Sequence, residues 1–209
     1  MIFWMLVAAT VLAPLPFGAI YPWSYTLLAV LVGGLVTLWS ATIALSGRAP
    51  PVTFGMILTP ALLFGAVLAW AWVQAAPWTP PAWHNPIWAE TARVLGQPVA
   101  GSISVDPYAT KTGIMRLLTY AGVFWLALQY GRSSARARQV FQVVAVAGLA
   151  YAVYGLAVEF TGAEKILWFD KERYAESLTS TFRYKNAYAT FAGFGLLCTL
   201  ALLVQAIGQ

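Results

Sequence analysis

The sequence predicts an all-α integral membrane protein of about six transmembrane helices, with two longer outward loops that carry short interfacial helices. Three observations predict it. Of 209 residues, 60% are hydrophobic and 9% charged, whereas a soluble domain is about one quarter charged. Mean hydropathy is +0.72. Six apolar stretches approach the roughly 20 residues that a spanning helix needs. A surface this poor in charge cannot be kept in water, so residues 1–209 form a single membrane-embedded helical domain.

The first stretch runs from about Ile2 to Ile20 and carries Pro14 and Pro16, so its end is kinked or unwound. A basic leader region and a small-residue cleavage site are not evident around Met1-Ile-Phe-Trp-Met-Leu, so this stretch reads as a retained span. A tight turn at Tyr21-Pro22 leads into the second, about Trp23 to Leu45. Ser46 to Pro51 joins it to the third, about Phe54 to Ala75. The fourth covers about Thr110 to Tyr130, the fifth about Val140 to Phe160 and the sixth about Ala187 to Ile207.

Six spans put both termini and the two short Arg-bearing turns on one side. The long loops, 76–109 and 161–186, share the other side with the Tyr21 turn. The short turns hold Arg48, Arg132, Arg136 and Arg138 and no acid. The long-loop side has more cations, but they are mixed with every acidic residue of the chain. Short, uncompensated basic turns are the stronger cytoplasmic signal, so the termini are placed in the cytoplasm and the long loops outside.

The first long loop contains Asn85-Pro86, a cap followed by Pro at a helix start, and Gly96 as a stop. Ile87, Trp88, Thr91, Val94 and Leu95 fall near one face, which predicts an amphipathic helix lying in the interface. Trp78, Trp83 and Trp88 suit an aromatic belt. In the second loop, Ile166, Leu167, Trp168, Phe169 and Tyr174 alternate with Lys165, Asp170, Lys171, Glu172 and Arg173, and the same kind of helix is expected.

Few residues offer chemistry. The formal charge is +5, yet no basic run is interleaved with aromatics as a nucleic-acid platform would require. The cations serve topology, anionic lipid or an anionic substrate instead. His84 is the only histidine and Cys198 the only cysteine, so neither a disulfide within the chain nor a metal site is expected. Walker loops, nucleophile elbows and zinc-protease helices are missing from the sequence, and no cofactor is implied. Asp170, Glu172 and Glu176 interleave with Lys171 and Arg173 as on a solvated face. Glu159 either caps the outer end of the fifth span or faces a polar cavity. Arg116, after Lys111, lies inside the fourth span; it either snorkels to headgroups or has a functional partner.

The stretch Ser180-Thr-Phe-Arg-Tyr-Lys-Asn-Ala is the most informative. Arg183 and Lys185 precede the sixth span, whose first amides are unpaired and whose dipole end is positive. Cations there do not help the helix. With the free amides they make a place for a phosphate or diphosphate, with Asn186 capping the helix or touching a sugar hydroxyl. Anchoring to lipid phosphates is the plainer reading of the same residues.

Two segments carry a resemblance. Gly101-Ser-Ile-Ser-Val-Asp-Pro-Tyr-Ala-Thr110 and Thr179-Ser-Thr-Phe-Arg-Tyr-Lys-Asn-Ala-Tyr-Ala189 resemble the entries to two spans of the bacterial O-antigen ligase/polymerase-like membrane family. The order of loops and spans is also similar over roughly residues 100–200. The resemblance implies a metal-independent glycosyltransferase in the bacterial inner membrane. Its donor would be an undecaprenyl-diphosphate-linked glycan, and its acceptor a lipid or glycan at the periplasmic face. Lys185 matches the family's basic residue and Asn186 its second Asn. Lys185 is thereby implied to hold the departing diphosphate, with Arg183 sharing that work and Arg116 and Lys111 as further candidates. Tyr184 departs from the family's Asn. No catalytic base is assigned, because the family's His-bearing outer loop has no counterpart up to Gln209. The chain is therefore expected to be an N-terminal portion of a longer protein, inactive by itself. A half-transporter or lipid-binding scaffold is the non-enzymatic alternative.

Overall fold

Helices α6 (Ser134–Phe160) and α7 (Lys185–Ile207) form the most extensive pairing in the molecule. They meet through glycine: a Cβ built on Gly148 would lie 3.0 Å from the Cα of Gly195, and the reverse is also true. Small residues let two backbones approach this closely, which is how helices associate where no water drives burial.

The computed structural model describes every residue except 48, 163–164, 168, 172–176 and 209. Arg48, Trp168, Glu172, Arg173, Tyr174, Glu176 and Gln209, which entered the sequence reading, lie outside the described residues. The other helices are α1 (Ile2–Leu12), α2 (Pro22–Ser46), α3 (Leu58–Gln74), α4 (Ile87–Leu95) and α5 (Pro107–Tyr130). Four segments are long and apolar enough to cross a membrane: Pro22–Ser46, Phe54–Gln74, Ser134–Phe160 and Lys185–Ile207. Their large apolar side chains point outward, among them Val30, Leu63, Val146 and Leu197. That surface suits lipid and not water.

Two stretches differ from expectation. The helix begun at Ile2 stops at Leu12, so it is about 16 Å long, half of a bilayer core. Pro14 and Pro16 have no N–H to continue the ladder, and the chain turns through Leu15–Ala19 with Phe17, Gly18 and Ala19 at positive φ. α5 has the length for a span, but Lys111, Arg116 and several Tyr and Thr residues keep it out of the apolar set.

The chain divides into two compact units, Met1–Gly47 with Gly122–Gln209, and Arg48–Ala121. In the first, Ile2 and Leu6 pack with Leu35, Trp39 and the fully buried Leu126. Ile2 thus starts beside the last third of α2, and the segment 2–20 runs back along α2 to its first residue. Arg136 closes this end by lying over the rings of Phe3 and Tyr130, at 5.7 and 5.3 Å from their centroids.

In the second unit the loop 76–109 folds on itself. Pro86, and not Asn85, holds the N-cap position of α4; Asn85 Oδ1 accepts the Ile87 amide at 3.1 Å from one residue before it, and Gly96 ends the helix at φ 66°. The Trp88 indole donates to the Ser104 carbonyl at 3.0 Å, and the Ser104 amide donates to Gln74 at 2.8 Å. Asp106 Oδ1 accepts the Ala109 amide at 2.9 Å and starts α5.

The loop 161–186 holds a short antiparallel hairpin, β1 (Lys165–Ile166) with β2 (Phe169–Asp170), where an interfacial helix was expected. Leu167 at φ 57° makes the bend, and its amide donates to the Tyr154 hydroxyl at 2.6 Å. A left-handed residue fixed to α6 in this way is incompatible with a helix through residues 165–170.

Candidate functional site

Residues 179–182 plug the end of the first unit. Thr179, Ser180, Thr181 and Phe182 are 1%, 3%, 2% and 7% exposed. Buried hydroxyls in a membrane protein need acceptors; two of these three have one, and Thr179 Oγ1 has none among the described residues. The Ser180 hydroxyl donates to the Tyr151 carbonyl at 2.7 Å, and the Thr181 hydroxyl to the Pro14 carbonyl at 3.0 Å. The Pro14 carbonyl lies just past the end of α1 and also accepts the Gly18 amide at 3.0 Å. The Tyr151 hydroxyl in turn donates to Val11, at the last turn of α1, at 2.9 Å. Phe182 fills the space among Tyr151, Tyr188, Phe191 and Gly18; a Cβ on Gly18 would come within 3.0 Å of its ring. The broken first helix thus has a use, because carbonyls at and just past its end receive the Tyr151 and Thr181 hydroxyls that fix the approach to α7.

That approach delivers Arg183 to a cavity of about 480 Å³ lined by Phe17, Tyr21, Trp23, Ile166, Phe169, Asp170 and Arg183. Arg183 is half-buried. Its guanidinium lies over the Tyr21 ring, 5.1 Å from the centroid, and Nη1 donates to the hydroxyl of the same residue. Phe17 stacks edge-on against both Tyr21 and Phe169, each at 5.1 Å, which joins the α1–α2 turn to the hairpin. A guanidinium supported by an aromatic face keeps its charge, and its planar fork suits carboxylate and phosphate groups.

The helix after it begins two residues earlier than the sequence indicated. Lys185 is the first residue of α7, Tyr184 holds the N-cap position without a side-chain cap bond, and Asn186 is already inside the helix. Asn186 is therefore not the cap; its carbonyl accepts the Thr190 hydroxyl at 2.9 Å. Lys185 and Asn186 are exposed. Arg183, Lys185 and Asn186 are thus gathered at one helix start. Lys111 and Arg116 belong to the other unit, where Lys111 is exposed and Arg116 half-buried on the first part of α5.

The sequence reading missed the cavity's aromatic wall. Phe17 and Tyr21 stand in what was read as a turn, and Asp170 in what was read as a solvated face. The cluster Phe17…Tyr21-Pro22-Trp23 at the head of α2 was the available signal. His84 is occupied elsewhere, in the second unit: its Nε2–H donates to the Thr79 carbonyl at 2.8 Å. Among the described residues no group of His, Cys, Asp and Glu could hold a metal ion.

Fold and site together define a helical membrane protein with a cavity that carries an aromatic-backed arginine beside the starts of two apolar helices. No family model, curated protein or solved structure matches the chain.

Proposed function

We propose that the chain belongs to a membrane glycosyltransferase of the O-antigen ligase/polymerase type. It would move a glycan from an undecaprenyl-diphosphate carrier to a lipid or glycan acceptor at the periplasmic face of a bacterial inner membrane. The observation that supports this reading is Arg183, held against Tyr21 in a cavity at the start of α7 with Lys185 exposed two residues on. A helix start with two cations and no acidic residue in its first turn is a poor arrangement for the helix and a good one for an anion.

In this proposal the chain crosses the membrane six times, with residues 2–20 as the first crossing and α5 as the fourth. The Tyr21 turn and both long loops are periplasmic; the termini and Arg132–Arg138 are cytoplasmic. The acceptor hydroxyl attacks the anomeric carbon, and the bond to the diphosphate oxygen breaks. Arg183 and Lys185 hold the charge that collects on the leaving group, a contribution that grows where water is scarce. Lys111 and Arg116 are further cations for the donor, and the base that takes the acceptor proton is not assigned.

The test is donor binding and glycan transfer by the protein as it occurs in its cell, with Arg183→Gln and Lys185→Ala. Each should weaken binding of the undecaprenyl-diphosphate glycan at least about tenfold, the loss of one charge-assisted contact. Unchanged binding by both variants overturns the reading. The exposure of Lys185 favours a second reading, a lipid-binding scaffold; it predicts an equal loss for any anionic lipid and no effect on glycan transfer.

A further inference from the structure

The cavity has a second charged wall. Asp170, the last residue of β2, lines it together with Arg183. Its place is fixed, because Ile166 is buried, the Leu167 amide is tied to Tyr154, and Phe169 packs against Phe17. Among the described residues the exposed Asp170 carboxylate has no hydrogen bond and no ion pair. Lys165 is its partner across the hairpin, yet the two form no salt bridge. An unpaired carboxylate on the wall of a site for a simple anion only repels the ligand. A ligand carrying both signs uses both walls.

The space between them is aromatic. Phe17, Tyr21, Trp23 and Phe169 present ring faces and edges to the cavity, and ring faces attract ammonium groups. The volume of about 480 Å³ lies within the range of small-molecule sites. Its location narrows the choice. Trp23 is the second residue of α2, and Arg183 stands two residues before α7. Both helices are apolar enough to span. The cavity thus lies where two candidate spans begin, which is headgroup depth when those helices cross a bilayer.

We propose that this cavity binds the headgroup of a zwitterionic phospholipid. The phosphate lies against Arg183, and the ammonium lies against Asp170 and the aromatic rings. The proposal shares the anion-holding role of Arg183 with the function proposed above and needs no glycosyl transfer.

The test is native mass spectrometry of the purified protein, titrated with phosphatidylethanolamine, phosphatidylcholine and phosphatidylglycerol of identical acyl chains. The zwitterionic lipids should be retained about tenfold over phosphatidylglycerol, since each tenfold is one well-placed charge contact. Asp170→Asn should abolish that preference without lowering phosphatidylglycerol binding, and Asp170→Glu should keep part of it. Arg183→Gln should weaken all three. Equal retention by the parent protein, or a preference that survives Asp170→Asn, overturns the proposal. An Arg183→Gln variant with unaltered binding of every lipid removes the phosphate arm and the anion site with it. An inert Asp170→Asn alone leaves that anion site standing.

Discussion

Gly148 on α6 and Gly195 on α7 face each other so closely that a methyl group on either would lie 3.0 Å from the other's Cα. The contact holds together the two helices that flank the hairpin-bearing loop of the first unit. It also fixes where α7 begins relative to Tyr151, and so where residues 179–183 can lie. Gly148→Leu or Gly195→Leu must push the helices apart. Each should lower the unfolding midpoint in detergent by several degrees, as overpacking by about 1–3 kcal/mol implies. Gly193→Leu, on the same helix with no atom within 4 Å of its Cβ position, should not. Equal effects at positions 193 and 195 would show that helix propensity, and not the contact, is being read.

The hydroxyl links from α6 and the 179–182 segment to the broken end of α1 make a second prediction. Tyr151→Phe removes the bond to Val11, and Thr181→Val the bond to Pro14. Interhelical hydrogen bonds in membrane proteins average about 0.6 kcal/mol, so each variant should be only slightly less stable. Ser180→Leu should cost far more, because Ser180 Cβ stands 3.1 Å from the Cβ position of Gly155 and its backbone is at φ 50°. Thermal melts in one detergent rank the three; a rank order with Ser180→Leu mildest contradicts the packing described.

Much of the helical plan was legible in the sequence, and the reasons are physical. Apolar runs near 20 residues leave few alternatives, and α2, α3, α6 and α7 lie where those runs lie. Asn85, Pro86 and Gly96 carry local signals, and α4 begins and ends beside them. What was not legible depends on distant partners. Leu167 bends because Tyr154 captures its amide thirteen residues away, and no local pattern in Lys165–Asp170 contains Tyr154. The stop at Leu12 was half visible in Pro14 and Pro16. The use of the Pro14 carbonyl by Thr181 was not, since the two residues are 167 apart in sequence. The candidate cation Arg183 was found from its place before a span, whereas its partner Tyr21 needed the fold.

Arg183 and Tyr21 supply a third prediction. Tyr21→Phe removes the hydroxyl and keeps the ring, while Tyr21→Leu removes both. A cation over an aromatic face at a partly exposed site is worth about 0.5–1 kcal/mol. Anionic-ligand affinity should therefore fall in two steps, Phe then Leu, with Arg183→Gln below both. Isothermal titration with a water-soluble diphosphate ester measures the series. If Tyr21→Leu binds as the parent does, the ring has no part in holding the guanidinium.

Gly101 in the second unit gives a fourth. A Cβ there would stand 2.5 Å from His84 Nδ1 and 3.2 Å from the Trp88 Cβ. The imidazole cannot swing away without giving up its bond to the Thr79 carbonyl. Gly101→Ala should destabilise the loop 76–109 by about 1–3 kcal/mol. The double variant Gly101→Ala/His84→Ala should recover part of that loss. Limited proteolysis near Gln97 reads the loop directly, and an equally protected Gly101→Ala protein would contradict the contact.

The two ends of α6 test the orientation. Ser133 and Thr161 flank a helix of 27 residues, about 40 Å long, so they emerge on opposite faces of a bilayer if the helix spans it. Both are exposed. Arg132, Arg136 and Arg138 cluster at the Ser133 end, and cations at a helix start gain nothing from its dipole. In the proposed topology these cations hold this end in the cytoplasm. Cys198 is the chain's one cysteine and is buried, so Cys198→Ala provides a thiol-free background. In that background, Thr161→Cys should react with a membrane-impermeant maleimide on intact cells. Ser133→Cys should react only after the membrane is opened. The reverse pattern would place the Arg183 cavity on the cytoplasmic side, where a periplasmic glycan donor could not reach it. Labelling of both from outside would mean that α6 does not cross at all.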